Sequence, residues 1–238
     1  MGNARAIEAK QDCPSGEHWV RSHTQKSYIR NQKPVSGSSH KAGCQKNPIS
    51  YAIWNKRLKS GLPPKWEFKT ESPKTWTEDE KENVLNSLSE IPSELLSSSV
   101  EGIYRLKQFS QYRPNPAANH NHQIALYDSA FDHDQNLSEV LAHEFSHVAY
   151  SQYSDQERVD YAKNAEWFAV EESPGKFILT PGRTDFVEED GRNGIEEDFS
   201  NNIEYFLFKP QELKNKSPAV FNWIYKKYGD KFKLRKVQ

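Results

Sequence analysis

NLSEVLAHEFSHVAYSQ, residues 136–152, sets His143, Glu144 and His147 in the order H-E-x-x-H inside an uninterrupted helical pattern. Residues four apart on a helix lie one above the other, so the two imidazoles can aim at one ion about 2.0–2.1 Å away. Glu144 projects beside them, where a carboxylate that does not bind the ion can take a proton from an attacking water. Asn136 followed three residues later by Glu139 is a capping-box pattern, and neither Pro nor Gly interrupts the run to Gln152. Val140, Leu141, Phe145, Val148 and Ala149 surround the motif with apolar groups. That surround fits a buried metal-binding helix, and it also fits a core helix holding two hydrogen-bonded histidines.

The rest of the chain sets bounds on what this helix can serve. With 238 residues the protein can bury a proper core in one large or two small domains. No apolar run approaches the roughly 18 residues of a membrane span, so no membrane span is expected. The opening residues MGNARAIEAK offer neither an apolar h-region nor a small-residue cleavage site, so no signal peptide is expected. Residues 1–75 hold 14 Lys and Arg against 5 Asp and Glu, which leaves 18 against 28 for residues 76–238. The basic charges of the first third are dispersed rather than clustered, which suits a solvated face, and no nucleic-acid partner is expected. Cys13 and Cys44 are the only cysteines. They stand near His18, His23 and His40, an arrangement open to a disulfide, a second zinc or two free thiols.

Along the chain, residues 1–62 read as a small basic module or arm, with short β-like stretches at His18–Arg21 and Ser27–Ile29. A second domain is expected over residues 63–238. Thr77 and Glu80 open a helix with Val84, Leu85, Leu88 and Ile91 on one face, and Pro92 stops it. Val100–Leu106 and Gln123–Tyr127 read as strands, and Arg113–His122 between them as a polar loop carrying His120 and His122. Ser154 and Glu157 cap a further helix with Val159, Tyr161 and Trp167, and Lys176–Thr180 reads as a short strand. Residues 194–208 are amphipathic at helical period, with Ile195, Phe199, Ile203, Phe206 and Leu207 on the apolar side. Ser217, Pro218 and Gly229 bracket a last helix.

A catalytic zinc takes three protein ligands, and a Glu on a later helix can complete a pair of histidines. Glu196 and Glu197 are the candidates, and amphipathicity alone mildly prefers Glu196. From about Trp66 onward the chain resembles the gluzincin-type zinc metallopeptidases, in particular bacterial proteins similar to the anthrax-toxin lethal-factor catalytic domain. HEFSH at 143–147 and Glu197-Asp198-Phe199-Ser200 carry the resemblance, with Phe186-Val187 in the run-up to the second segment. The resemblance implies His143, His147 and Glu197 as ligands of Zn2+ and Glu144 as general base. Asn201 stands where that family usually has a second acid, and Asp190 where an aromatic is expected. Tyr205, Tyr150 and Arg183 are the candidates for stabilising an oxyanion.

These readings converge on an α+β, mainly helical zincin-like domain with a small β-sheet, acting as a monomeric zinc metallopeptidase on a protein or peptide substrate. The resemblance further implies a bacterial effector or toxin, soluble and exported by a specialised route, or otherwise cytoplasmic. The alternative is a non-catalytic binding module, with the histidines packed in the core or closed around a structural metal. A fourth protein ligand, such as Asp198 or His133, would mark that alternative.

Overall fold

The computed structural model describes residues 17–20, 23–25, 28–30, 33–35, 38–40, 43–46, 49–64, 66, 71–107, 115–171, 173, 175–229 and 232, those up to 51 by backbone alone. It is a mixed α+β chain in two units, Met1–Trp54 and Asn55–Gln238. The described strands of the first unit are β1 (Glu17–Val20), β2 (His23–Gln25), β3 (Tyr28–Arg30), β4 (Lys33–Val35), β5 (Ser38–His40) and β6 (Gly43–Lys46). They pair antiparallel as β1 with β6, β2 with β5 and β3 with β4. One register runs through all three pairs, from Glu17 opposite Lys46, through His23 opposite His40, to Arg30 opposite Lys33. Cys13 lies outside the described residues, and so do the expected Cys13–Cys44 link and any second zinc built on it.

Helix α1 (Ile49–Arg57) spans the division between the units and leads into β7 (Leu58–Lys59). The second unit continues with α2 (Glu78–Glu90), β8 (Gly102–Arg105), β9 (Ala117–His120), β10 (Gln123–Leu126), α3 (Leu137–Ser151), α4 (Asp155–Asn164), β11 (Trp167–Ala169), β12 (Phe177–Leu179), α5 (Ile195–Phe208), α6 (Pro210–Lys216) and α7 (Pro218–Tyr228). Four of its strands form one sheet in the order β7, β8, β10, β9. The first three run parallel, and β9 turns back antiparallel along β10 at the edge. Every residue of β8 and β10 is buried, as strands covered on both faces require. Trp66, Leu106, Ala125 and Tyr127 form one cluster there, with Ala118 of β9 packed against it.

Capping boxes open α2 at Thr77 with Glu80 and α4 at Ser154 with Glu157, as their spacing predicts. Asn136 caps α3 in a simpler way. Its side-chain oxygen accepts from the Ser138 N–H, and its side-chain amide donates to the Glu139 carboxylate at 2.7 Å instead of completing a box. α3 then packs against α5, α2 and β9, sinking Leu141, Phe145 and Val148 almost completely. Each such side chain contributes roughly 1.5–3 kcal/mol of burial.

Three readings of the sequence are changed by the structure. The polar stretch Arg113–His122 contains strand β9, since an edge strand beside a cleft is half-exposed and does not need alternating apolar residues. The helix after Ser154 ends at Asn164, and Trp167 belongs to β11 because its indole is drawn into the core. α6 precedes the last helix, and Phe206 of α5 is only partly buried, whereas Ser200, Asn201 and Asn202 are buried with the apolar residues.

Candidate metal centre

α3 presents His143 and His147 one turn apart on a single face, with ring centroids 4.9 Å apart. α5 lies antiparallel against that face, as Lys209 at its end reaching Glu139 in the first turn of α3 shows. Glu197, in the first turn of α5, thereby comes to the two imidazoles. Its Oε2 is 3.4 Å from His143 Nε2 and 3.5 Å from His147 Nε2, and the two Nε2 atoms are 3.1 Å apart. A tetrahedral ion bound at about 2.0–2.1 Å has ligand-to-ligand edges of roughly 3.3–3.4 Å. The three atoms thus already hold three corners of such a tetrahedron to within a few tenths of an ångström, and the cluster could hold a metal ion. Glu196, the neighbour that helical period favours, is exposed and stands outside the cluster.

Glu144 projects from the same helix and is 6% exposed. Burial raises its pKa, against the opposing pull of His143 and His147. Its Oε2 is buried and has no hydrogen-bond partner among the described residues, an unusual state for a carboxylate oxygen. The Asn119 side chain of β9 donates to the Glu144 carbonyl oxygen at 3.2 Å, so the sheet edge is tied to the helix at this residue. Burial opposes protonation of His143, but Glu197, Glu204 and Glu144 outweigh it and push its pKa up to about 10. The two imidazoles in turn hold the Glu197 carboxyl below the usual carboxylate range, against its burial.

A cleft of about 1040 Å³ opens over these residues, walled by β9 and its turn on one side and by α3 and α5 on the others. No protein-family model, no curated protein and no solved structure matches the chain. The site therefore stands on its own geometry.

Asp198 and His133, two examples of a residue that would have closed the site, are both engaged elsewhere. Asp198 is turned into the core, where Arg183 donates to both its oxygens at 2.8 and 3.1 Å and Trp167 and Asn202 add bonds at 2.8 and 2.9 Å. His133 is exposed and pairs with Asp134. None of the three oxyanion candidates lines the cleft, and two of them are bound to other residues. Tyr150 packs among Tyr153, Tyr161 and Phe199, Arg183 is committed to Asp198, and Tyr205 donates to Glu188. Asn201 and Asp190, the departures from the family pattern, bond to each other at 2.6 Å.

His120 and His122 do line the cleft. Asn121 and His122 form a two-residue turn with φ of 48° and 62°, the mirror-image kind that suits the twist of a hairpin. His122 reaches Ser151 at the end of α3, at 3.2 Å. The sequence reading missed Asn119, hidden in a stretch with no strand signal. It also gave no role to Glu204, whose carboxylate lies 3.6 Å from His143 Nδ1. Its position seven residues after Glu197, two turns along the same face, was the available signal.

Proposed function

We propose that this chain is a zinc-dependent metallopeptidase of the zincin-like, gluzincin type. The observation that carries the reading is the triangle of His143 Nε2, His147 Nε2 and Glu197 Oε2, with an unpartnered Glu144 oxygen beside it. Two imidazoles and one carboxylate are the donor set of a hydrolytic zinc site, and a cluster of three protein ligands leaves room for a reactant. Zinc held there supplies Lewis acidity to a peptide carbonyl and lowers the pKa of water.

The remaining work falls to the chain's own residues. Glu144 takes a proton from the attacking water and passes it to the leaving amine, a task suited to a carboxylate whose pKa is raised by burial. β9, at the sheet edge and in the cleft wall, offers backbone groups with which an extended peptide can pair. Asn119 keeps that strand in register with Glu144. The test is Glu144→Gln: zinc stoichiometry should stay at one per chain while turnover on a peptide library falls by ~10²–10⁴-fold. Unchanged turnover removes Glu144 from the mechanism. A wild-type protein that binds zinc and cleaves nothing in the library marks a non-catalytic metal site.

A further inference from the structure

We infer that Glu204 is the positioning residue of this centre, acting through His143. The inference rests on the metallopeptidase reading and goes beyond it by assigning the group behind a ligand. Glu197 and Glu204 are seven residues apart on α5, so both carboxylates lie along one side of the helix. Between them sits the imidazole of His143. Its Nε2 is 3.4 Å from Glu197 Oε2, and its Nδ1 is 3.6 Å from Glu204 Oε2. One ring is therefore clasped by two acids from successive stretches of the same helix.

Glu204 is built to stay in place. Its side chain is 15% exposed, and Lys209 Nζ lies 3.9 Å from its other oxygen. Lys209 is itself held by Glu139 at 2.7 Å. Charges thus alternate from His143 through Glu204 and Lys209 to Glu139, crossing from α3 to α5 and back. The residue one turn earlier, Asn201, is turned to Asp190. Glu204 is thus the acid that α5 brings to the far nitrogen.

The chemistry follows from the ring. A neutral imidazole carries one proton, and a carboxylate that closes the few tenths of an ångström from 3.6 Å to hydrogen-bond distance at Nδ1 places it there and leaves the Nε2 lone pair for the ion. It also fixes the ring's rotation, which sets the direction of that lone pair. A group behind a ligand of this kind typically changes metal affinity by roughly 10–100-fold.

Competition between the full-length protein and a chromogenic chelator for zinc tests the inference. Glu204→Gln keeps shape and a weak acceptor and should lose about tenfold in affinity, whereas Glu204→Leu removes the acceptor and should lose closer to 100-fold. The thermal midpoint of both zinc-free variants should stay near that of the zinc-free wild type, which separates positioning from a role in stability. In the zinc-loaded wild type the His143 Nδ1 proton should be visible by NMR as a slowly exchanging, downfield signal, and it should weaken or shift in Glu204→Leu. Affinities within twofold of wild type in both variants, with an unchanged His143 signal, overturn the inference while leaving the zinc site standing. If Glu204→Leu does not fold, Glu204→Gln alone decides by the same twofold criterion. A wild-type protein that binds no zinc overturns the metallopeptidase reading, and the inference with it.

Discussion

In the first turn of α5, Glu197 and Asp198 are consecutive carboxylates that the fold treats in opposite ways. Glu197 is 39% exposed at its side chain and, among the described residues, pairs with the two imidazoles of α3. Asp198 is 1% exposed and receives hydrogen bonds from Arg183, Trp167, Asn202 and Tyr161. A step of about 100° around the helix separates a cleft wall from a buried ion network. A carboxylate whose lone pairs are all taken by N–H and O–H donors is committed to holding its helix in place. One that faces two imidazole nitrogens at tetrahedral spacing remains available to a cation. The buried network anchors the turn that aims Glu197, so the stability of one region sets the precision of the other.

The comparison breaks first on the buried side. Asp198→Ala should destabilise the protein by about 3–5 kcal/mol, because it leaves the Arg183 guanidinium, fully buried at its side chain, without its bidentate partner. Urea denaturation measures this, and a loss below about 1 kcal/mol would mean that the network does not anchor α5. On the cleft side the effect should move from stability to metal. Glu197→Ala should leave the denaturation midpoint of the zinc-free protein close to wild type and lower zinc affinity by at least about 100-fold, while Glu196→Ala should change neither. The reverse ranking would transfer the ligand to Glu196.

The smallest effect concerns an ion pair between α4 and α7. Lys227 on α7 donates to Glu157 at the start of α4 at 2.7 Å, and together with Ser154 it lowers the Glu157 pKa to about 2. A depressed carboxylate pKa stabilises the fold above its unfolded value, near 4.5, and that stability is lost as pH falls through 4.5 towards 2. With 43% of the Glu157 side chain exposed, the contribution is discounted to under about 1 kcal/mol. Wild type and Lys227→Met should therefore differ slightly in urea midpoint at pH 6 and converge near pH 2.5. A difference that persists at low pH would assign the effect of Lys227 to packing over Tyr153 and Trp223 instead.

Much of this arrangement is written in local patterns. The cap, the apolar run and the H-E-x-x-H spacing mark α3, and two capping boxes mark α2 and α4, because each depends on residues three or four apart. What was not legible depends on contacts across the chain. Helical period favoured Glu196 because it set Glu197 beside Ser200 and Asn201, away from the apolar side, whereas α5 is buried nearly all round and its polar residues meet partners such as Asp190 and Tyr161. Asp198 finds Arg183 and Trp167 at separations of 15 and 31 residues, which no short motif encodes. β9 escaped notice because Ala117-Ala118-Asn119-His120 carries no β-branched residue and no Phe, Tyr or Trp, and its pairing with β10 supplies the order that its own residues do not.

The central claim is that His143, His147 and Glu197 hold one zinc ion. X-ray absorption at the zinc edge, on full-length protein loaded with one equivalent of the metal, tests it most directly. The account predicts nitrogen and oxygen neighbours at about 2.0–2.1 Å, with the outer-shell pattern of two imidazoles and no sulfur. That imidazole pattern should be lost in the His143→Ala, His147→Ala double variant. A sulfur shell near 2.3 Å, or a spectrum unchanged by the double substitution, would place the zinc elsewhere in the chain and contradict the claim.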